Sequence, residues 1–207
     1  WSSDVCSSDL ARGFGVDLDR RLVEISNANA VKAGVADRAV FFVRDLHETE
    51  LGRATVLTLY LLPEVNLMIR PRLLTTLNPG TRIVSHDYDL DDWRPDRTST
   101  VRKDVFLWIV PARVAGRWKI RLAMPPIERL IELQLDQRFQ QVSGTATLNG
   151  VSAPVWEARL SGARFSFIVV DTTDAGDESN LYFEGRVAGN TMEGRVTRDV
   201  GNARTAA

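Results

Sequence analysis

The chain has 207 residues, 44% of them apolar, and a formal net charge of -1. This composition is typical of a globular protein with one large or two small domains. The balanced charge gives no electrostatic reason to expect nucleic acid as a partner. Because the longest apolar runs are far shorter than the ~20 residues of a membrane-spanning helix, we expect no membrane partner either.

The N-terminal segment, residues 1–10, contains the single cysteine, Cys6. One cysteine cannot form an internal disulfide, and no cysteine and histidine cluster has zinc spacing, so a reducing, cytoplasmic location is expected. The segment has neither the basic flank nor the apolar stretch of a secretory signal. Its Ser-Ser-Asp repetition also lacks helical periodicity, and we interpret residues 1–10 as a non-native or disordered segment.

From Ala11 to about Asp87 the pattern alternates between strands and helices, which predicts a parallel sheet with crossover helices. Asp19 is expected to cap the first helix and Gly34 to end it. The continuous apolar run Ala39–Val43 is typical of a strand buried on both faces. The predicted strands are Gly15–Asp17, Ala39–Val43, Thr55–Tyr60 and Thr81–Asp87. The first predicted helix is Arg20–Ala30, with an apolar stripe expected to be buried at Leu22, Val23, Ile25, Ala28 and Ala30. The second is supplied by Val65–Leu77, with Pro63 expected in its first turn.

After Asp87 the pattern changes to a polar loop, followed by two strands that we expect to form an antiparallel hairpin at the sheet edge, Val105–Val110 and Gly116–Leu122. Residues 125–207 then alternate with period two, which predicts a small antiparallel meander or open barrel. Trp156, Ala158 and Leu160 are expected on one face of a strand there. The predicted fold is therefore a truncated Rossmann-like α/β domain over residues 11–124, followed by an antiparallel β domain over residues 125–207.

Two carboxylates follow neighbouring strands of the predicted parallel sheet. Asp17 ends the first strand, where a carboxylate can accept hydrogen bonds from ribose hydroxyls. Asp45 and Leu46 follow the second strand, where a carboxylate can accept the amino group of adenine while apolar groups pack on the ring. The alternative is a solvated turn residue at each position or, for Asp17, a helix cap.

Several segments together resemble class I S-adenosylmethionine-dependent methyltransferases: Gly15–Asp19 with the Ala28-Asn29-Ala30 helix, Val43–Leu46, Ala54–Pro63 and Leu73–Ser85. The resemblance covers residues 11–122. It implies that S-adenosylmethionine is the cofactor, that Asp17 binds its ribose, that Leu18 packs on adenine, that Asp45 meets the adenine amino group, and that Tyr60 lies beside the sulfonium. The family's glycine-rich first motif is absent, so we expect a fragment that holds only the adenosine half of the site.

Tyr60 and His86 are the candidate catalytic residues. Tyr60 could line the methyl-transfer site or be the last buried residue of its strand. His86 could orient or deprotonate a methyl acceptor, or be a hydrogen-bonded histidine at the sheet end. No metal site is expected, because the acidic residues after His86 lack the glycine of a calcium loop. Trp93, in the same loop, is a candidate lid or acceptor-site residue.

The sequence thus predicts methyl transfer from S-adenosylmethionine to a protein side chain or a small molecule, by a fragment that could itself be inactive. Two alternatives stay open. One is an NAD-dependent oxidoreductase, which also uses a carboxylate on ribose. The other is a non-catalytic binding module that recognises its partner through the β domain. Neither the acceptor nor the oligomeric state follows from the residues.

Overall fold

The computed structural model describes residues 11–124, 127–172 and 178–200. The predictions for residues 1–10 and for the Pro125-Pro126 break lie outside this part of the chain. The chain divides into two compact units, Trp1–Leu51 and Gly52–Ala207. Neither α-helix in the described residues is long and apolar enough to cross a membrane.

The first unit is built around a parallel pair of strands. It contains β1 (Gly13–Asp17), α1 (Arg20–Lys32), β2 (Ala39–Val43) and a short 3₁₀ helix (Leu46–Glu48). The Asp19 carboxylate accepts the backbone N–H groups of Arg21 at 2.8 Å and Leu22 at 3.4 Å, which confirms the predicted cap. Gly34 follows the helix with a φ of 68°, a conformation that costs glycine little.

Burial in this unit is lower than the sequence predicts. Of the expected stripe on α1, Val23 and Ala30 are buried, whereas Leu22 and Ile25 are exposed. The prediction that β2 is buried on both faces is wrong, since Phe42 is 42% exposed. The physical reason is that the described part of this unit pairs only two strands and packs one helix on them.

The second unit begins with a mixed sheet in the order β3-β4-β6-β5. Its elements are β3 (Val56–Leu59), α2 (Pro63–Thr76), β4 (Arg82–His86), β5 (Arg97–Ser99) and β6 (Val105–Ile109). β3 and β4 are parallel, whereas β6 is antiparallel to both β4 and β5. Pro63 opens α2, as predicted.

The predicted antiparallel edge is present, but its strands differ from those expected. β6 pairs with β5 from the polar loop, and the segment that begins at Gly116 pairs elsewhere. Asp96 explains this pairing in part, because its carboxylate accepts the N–H of Ile109 at 2.7 Å and its own N–H donates to the carbonyl of Leu107. A hydrogen-bonding aspartate thus brings a polar segment to the sheet edge.

A seven-stranded antiparallel sheet follows, and each strand pairs with its neighbours in sequence, as expected for a meander. Its strands are β7 (Gly116–Met124), β8 (Ile127–Arg138), β9 (Gln141–Leu148), β10 (Val151–Ser161), β11 (Arg164–Asp171), β12 (Ser179–Ala188) and β13 (Thr191–Val200). Asn149 and Gly150 both have positive φ in the predicted turn between β9 and β10. The α/β fold followed by an antiparallel meander is therefore confirmed.

The sheet encloses an apolar core on its inner face. Ile131, Leu133 and Phe167 are among the buried residues of this core. Arg129 on β8 and Asp171 on β11 form an ion pair of 2.7 Å, with the Asp171 side chain fully buried. Since β9 and β10 separate these strands in the sheet, the ion pair shows that the sheet curls round its inner face.

One predicted face assignment in this sheet is wrong. Trp156 was expected on the same face as Ala158 and Leu160, but it is 55% exposed, whereas Leu160 is buried. The register with β11 shifts between Trp156 and Arg159, and Glu157 has a φ of 46°. This β-bulge inserts an extra residue, so the alternation of faces reverses across it.

Candidate functional site

Asp17 lies at the carboxyl end of β1, as the sequence predicts. Its Oδ1 accepts the N–H of Asp19 at 2.8 Å, so the carboxylate orders the turn into α1. Because Asp19 caps the helix, the alternative that Asp17 is the cap is excluded. The next side chain, Leu18, is 72% exposed, which leaves an apolar group on the surface beside the carboxylate.

Asp45 lies two residues beyond β2. Its Oδ1 accepts the N–H of His47 at 2.8 Å, which caps the 3₁₀ helix that starts at Leu46. Asp17 is in register with Val43, the last residue of β2. The first unit therefore presents the Asp17 and Asp45 carboxylates at the same edge of its parallel strand pair, where nucleotide-binding α/β folds bind their ligands.

In the second unit, Tyr60 follows β3, and His86 is the last residue of the parallel strand β4. Their rings meet edge to face, with centroids 4.7 Å apart and planes at 88°. The two side chains line an open cavity of about 420 Å³ together with Thr58, Leu59 and Val84. Tyr60 is 71% exposed, so the alternative that it is a buried strand-end residue is wrong.

Charged groups also lie beside His86. The Asp87 carboxylate is 3.4 Å from His86 Nδ1 and accepts a hydrogen bond of 3.1 Å from the Lys103 ammonium. This hydrogen bond to Asp87 raises the pKa of Lys103. Asp87 has a left-handed φ of 66°, and its N–H donates to the Asp104 carbonyl at 2.7 Å. The turn thus directs a carboxylate at the histidine.

Asn66 on α2 supports this turn and was not singled out from the sequence. It is fully buried, and its Nδ2 lies 3.4 Å from Ser85 Oγ and 3.3 Å from the Asp89 carbonyl. Ser85 Oγ in turn donates to the Tyr88 carbonyl at 2.6 Å. The available signal was a polar residue on the apolar side of a helix, which is costly to bury unless it is hydrogen-bonded. Asn66 and Ser85 together hold the chain on both sides of His86.

The acidic loop after His86 is neutralised by arginines. Asp92 accepts hydrogen bonds from Arg70 and Arg138, and these contacts, led by the hydrogen bond to Arg138, lower its pKa. Within residues 11–124, 127–172 and 178–200, no group of three histidine, cysteine or acidic side chains is placed to share a metal ion. The loop is therefore tied by ion pairs.

The hypothesis that Trp93 is a lid or an acceptor-site residue is wrong. Its side chain has no solvent exposure and stacks on Phe139 with ring centroids 5.6 Å apart. Trp108 Nε1 donates to the Trp93 carbonyl at 2.6 Å. The polar neighbours of Trp93 in sequence concealed its role as a core residue.

The family model of the ANTKMT methyltransferase domain matches residues 4–97, which include both pairs of candidate residues. This segment of the chain is similar to S-adenosylmethionine-dependent methyltransferases. The family implies S-adenosylmethionine as the cofactor. The match thus favours the methyltransferase interpretation over the NAD-dependent alternative.

Two similar proteins carry related descriptions. A protein-lysine N-methyltransferase of Saccharolobus islandicus (strain REY15A) is 32% identical over a match of 107 residues that covers 49% of this chain and 66% of that protein. A crystal structure of an RNA methyltransferase from Salinibacter ruber in complex with S-adenosyl-L-homocysteine is 47% identical, with a TM-score of 0.48, over 50% of this chain and 69% of that one. The methyltransferase segment thus spans just under two thirds of its curated relative.

Proposed function

We propose that this chain transfers a methyl group from S-adenosylmethionine to the side-chain amine of a protein lysine. The observation that carries the proposal is the Tyr60 and His86 ring pair at the ends of two parallel strands, with the Asp87 carboxylate behind the imidazole. The lysine acceptor is supported by the description of the Saccharolobus islandicus relative.

In this proposal the first unit binds the adenosine part of the cofactor. Asp17 accepts hydrogen bonds from the ribose hydroxyls, and the exposed Leu18 side chain packs on adenine. Asp45 accepts the adenine amino group, with the half-buried Leu46 beside the ring. Each carboxylate already uses one oxygen to order its own turn, so the binding groups are held in place before the ligand arrives.

The second unit then acts on the acceptor. A lysine ammonium must lose a proton before its nitrogen can attack, and His86 accepts that proton. The Nδ1 atom is buried and faces Asp87, which leaves Nε2 for the acceptor. The amine lone pair forms the new N–C bond while the S–CH₃ electron pair stays on sulfur, which gives S-adenosylhomocysteine. Tyr60 lines the cavity and orients the amine, since alignment provides much of the acceleration in such a transfer.

The test for transfer uses the whole chain, labelled S-adenosylmethionine and two peptides that differ only in lysine or arginine. We expect label in the lysine peptide alone. His86→Gln should lower kcat by about 10²-fold at neutral pH, a typical contribution of a general base, with partial recovery at a pH where free lysine is deprotonated.

His47→Gln is the matched control, because His47 is an exposed histidine of the first unit. It should leave kcat unchanged. Equal labelling of the two peptides would contradict the lysine acceptor, and an unchanged rate in His86→Gln would contradict the base.

Cofactor binding is tested separately by calorimetric titration with S-adenosylhomocysteine. Asp17→Ala should weaken binding by about tenfold, because it removes hydrogen bonds between a charged acceptor and the ribose. Asp37→Ala, an exposed aspartate of the same unit outside the proposed site, should bind as the unchanged chain does. Equal affinity in all three proteins would contradict the ribose assignment.

A further inference from the structure

The outer face of the seven-stranded sheet carries a second cavity, unrelated to the methyl-transfer residues. The cavity has a volume of about 440 Å³ and lies over β10, β11 and β12. It lies beside the β-bulge at Glu157, which belongs to its lining. This volume is within the range of small-molecule sites in proteins.

Three rungs of outward-facing side chains cross the strands at this cavity. Its lining includes Arg164, Glu184 and Tyr182, and Arg186 lies next to Arg164, outside the lining. The strand register defines an arginine rung of Ser161, Arg164, Arg186 and Glu193; a middle rung of Arg159, Ser166, Glu184 and Arg195; and an aromatic rung of Trp156, Ile168, Tyr182 and Thr197. Consecutive rungs on one face are two residues apart, so the arginine and aromatic rungs are separated by roughly 13 Å.

The arginine rung places two like charges directly opposite each other. Arg164 and Arg186 are register partners on β11 and β12, and both are exposed. Like charges in this position destabilise a sheet. Neither guanidinium forms an ion pair with another described residue, whereas Arg159 pairs with Glu157 at 3.5 Å and Arg195 pairs with Glu184 at 2.6 Å. An anion on the arginine rung would relieve the repulsion.

The other two rungs offer different chemistry. Tyr182 and Ile168 present an exposed phenol ring and a half-buried aliphatic group, on which a planar ring can stack. The Glu184 carboxylate belongs to the middle rung, between the aromatic rung and the arginine rung. A carboxylate can accept several hydrogen bonds, so Glu184 can accept from hydroxyl groups while it stays paired with Arg195.

We propose that this cavity binds a nucleoside monophosphate. The phosphate lies between Arg164 and Arg186, the ribose hydroxyls donate to Glu184, and the base stacks on Tyr182. The order of chemistry along the strands, from cationic to carboxylate to aromatic, matches the order of phosphate, ribose and base in one nucleotide. The site shares no residue with the proposed adenosine site and does not depend on the proposed methyl transfer.

The test is calorimetric titration of the whole chain with uridine monophosphate, uridine and inorganic phosphate. We expect uridine monophosphate to bind at least about tenfold more tightly than uridine or phosphate. Only the whole nucleotide reaches both the arginine rung and the aromatic rung. Arg164→Gln should weaken its binding by about tenfold, since it removes a charge-assisted hydrogen bond to the phosphate. Tyr182→Ala should cause a similar loss through stacking.

Arg117→Gln is the matched control, because Arg117 is an exposed arginine of β7 at the opposite end of the sheet order. It should bind as the unchanged chain does. The thermal midpoint of Arg164→Gln should equal or exceed that of the unchanged chain, since the substitution removes the like-charge pair.

The proposal would be overturned by equal losses of affinity in Arg164→Gln and Arg117→Gln, or by phosphate that binds as tightly as the nucleotide. It would also be overturned by a melting temperature of Arg164→Gln low enough to explain its loss of affinity. A pentauridylate that binds more than tenfold tighter than uridine monophosphate would overturn a free nucleotide as the ligand.

Discussion

The first unit and the seven-stranded sheet both carry clear apolar periodicity, yet they differ in how much of it they bury. In the first unit Leu22, Ile25 and Phe42 are each more than 40% exposed. In the seven-stranded sheet the inward residues Ile131, Leu133 and Leu135 are almost completely buried. The periodicity identifies the same kind of side chain in both regions.

The difference follows from where each region finds its partner layer. A meander supplies its own, because every strand pairs with a neighbour in sequence and the curled sheet covers its inner face. A parallel strand pair with one crossover helix covers one face only. An amphipathic pattern therefore identifies the side to be buried, but it does not show that a neighbouring layer is present in the same unit.

The strongest test of this comparison uses two leucine truncations. Leu133→Ala should lower the free energy of unfolding by about 2–5 kcal/mol, because it leaves a cavity in a packed core. Leu22→Ala should lower it by less than about 1 kcal/mol, since Leu22 is 47% exposed and buries little apolar surface. Urea unfolding of both variants measures the difference, and equal losses would contradict the comparison.

A smaller effect is expected from the cap of α1. Asp19→Ala removes the acceptor for two backbone N–H groups and should destabilise the helix by about 1 kcal/mol. Amide exchange should become faster in residues 20–32 and stay unchanged in the seven-stranded sheet, since the two regions belong to different units. Asp19→Asn keeps an acceptor and should restore slow exchange; faster exchange in β8 would count against separate units.

The smallest effect concerns Asp96, at the edge of the mixed sheet. Burial raises its pKa above the ordinary value of 3.8, and the hydrogen bond from Ile109 offsets this only in part. The folded state then binds the proton more tightly than the unfolded state, so stability falls as the pH rises from 3.8 through the folded pKa.

Asp96→Asn keeps an acceptor for Ile109 and removes the charge. Above the folded pKa the variant should be more stable than the unchanged chain. The difference should be no more than about 0.5 kcal/mol, because solvent screens the carboxylate. Near pH 3 the two proteins should be equally stable. Thermal melts at pH 3 and pH 7 measure this. A variant that is less stable at pH 7 would show that the charged carboxylate stabilises the edge.

Local sequence signals predicted much of the backbone. Asp19, Gly34 and Pro63 act at the helix ends through contacts within a few residues, and the Asn149-Gly150 turn requires positive φ at adjacent positions. Such features depend little on the rest of the chain. The succession of strands and helices could therefore be derived before any tertiary contact was known.

The errors arose where a distant contact decides the outcome. β6 pairs with β5 through Asp96, a polar residue in a segment that has the composition of a loop. Trp93 packs on Phe139, which lies 46 positions later in the chain. The bulge at Glu157 places Trp156 on the opposite face, although the apolar and polar residues still alternate in the sequence. None of these contacts produces a periodic signal in the sequence.

The candidate site was predictable in position and less so in its surroundings. Strand ends identified Tyr60 and His86, and the structure brings their rings together. The contributions of Asn66 and Lys103 depend on the left-handed turn at Asp87, which holds the carboxylate toward both the histidine and the lysine. Backbone geometry of this kind follows from packing, which a single sequence does not reveal.

The neighbour-to-neighbour strand order of the meander has a consequence for folding as well as for burial. Every hydrogen-bonded ladder in that sheet closes between segments joined by a single connection, so the loop entropy of each pairing step is small. During synthesis, each new strand can add to the strand made just before it. We expect the region to fold progressively as it leaves the ribosome, with the ion pair between Arg129 and Asp171 forming once β11 has emerged.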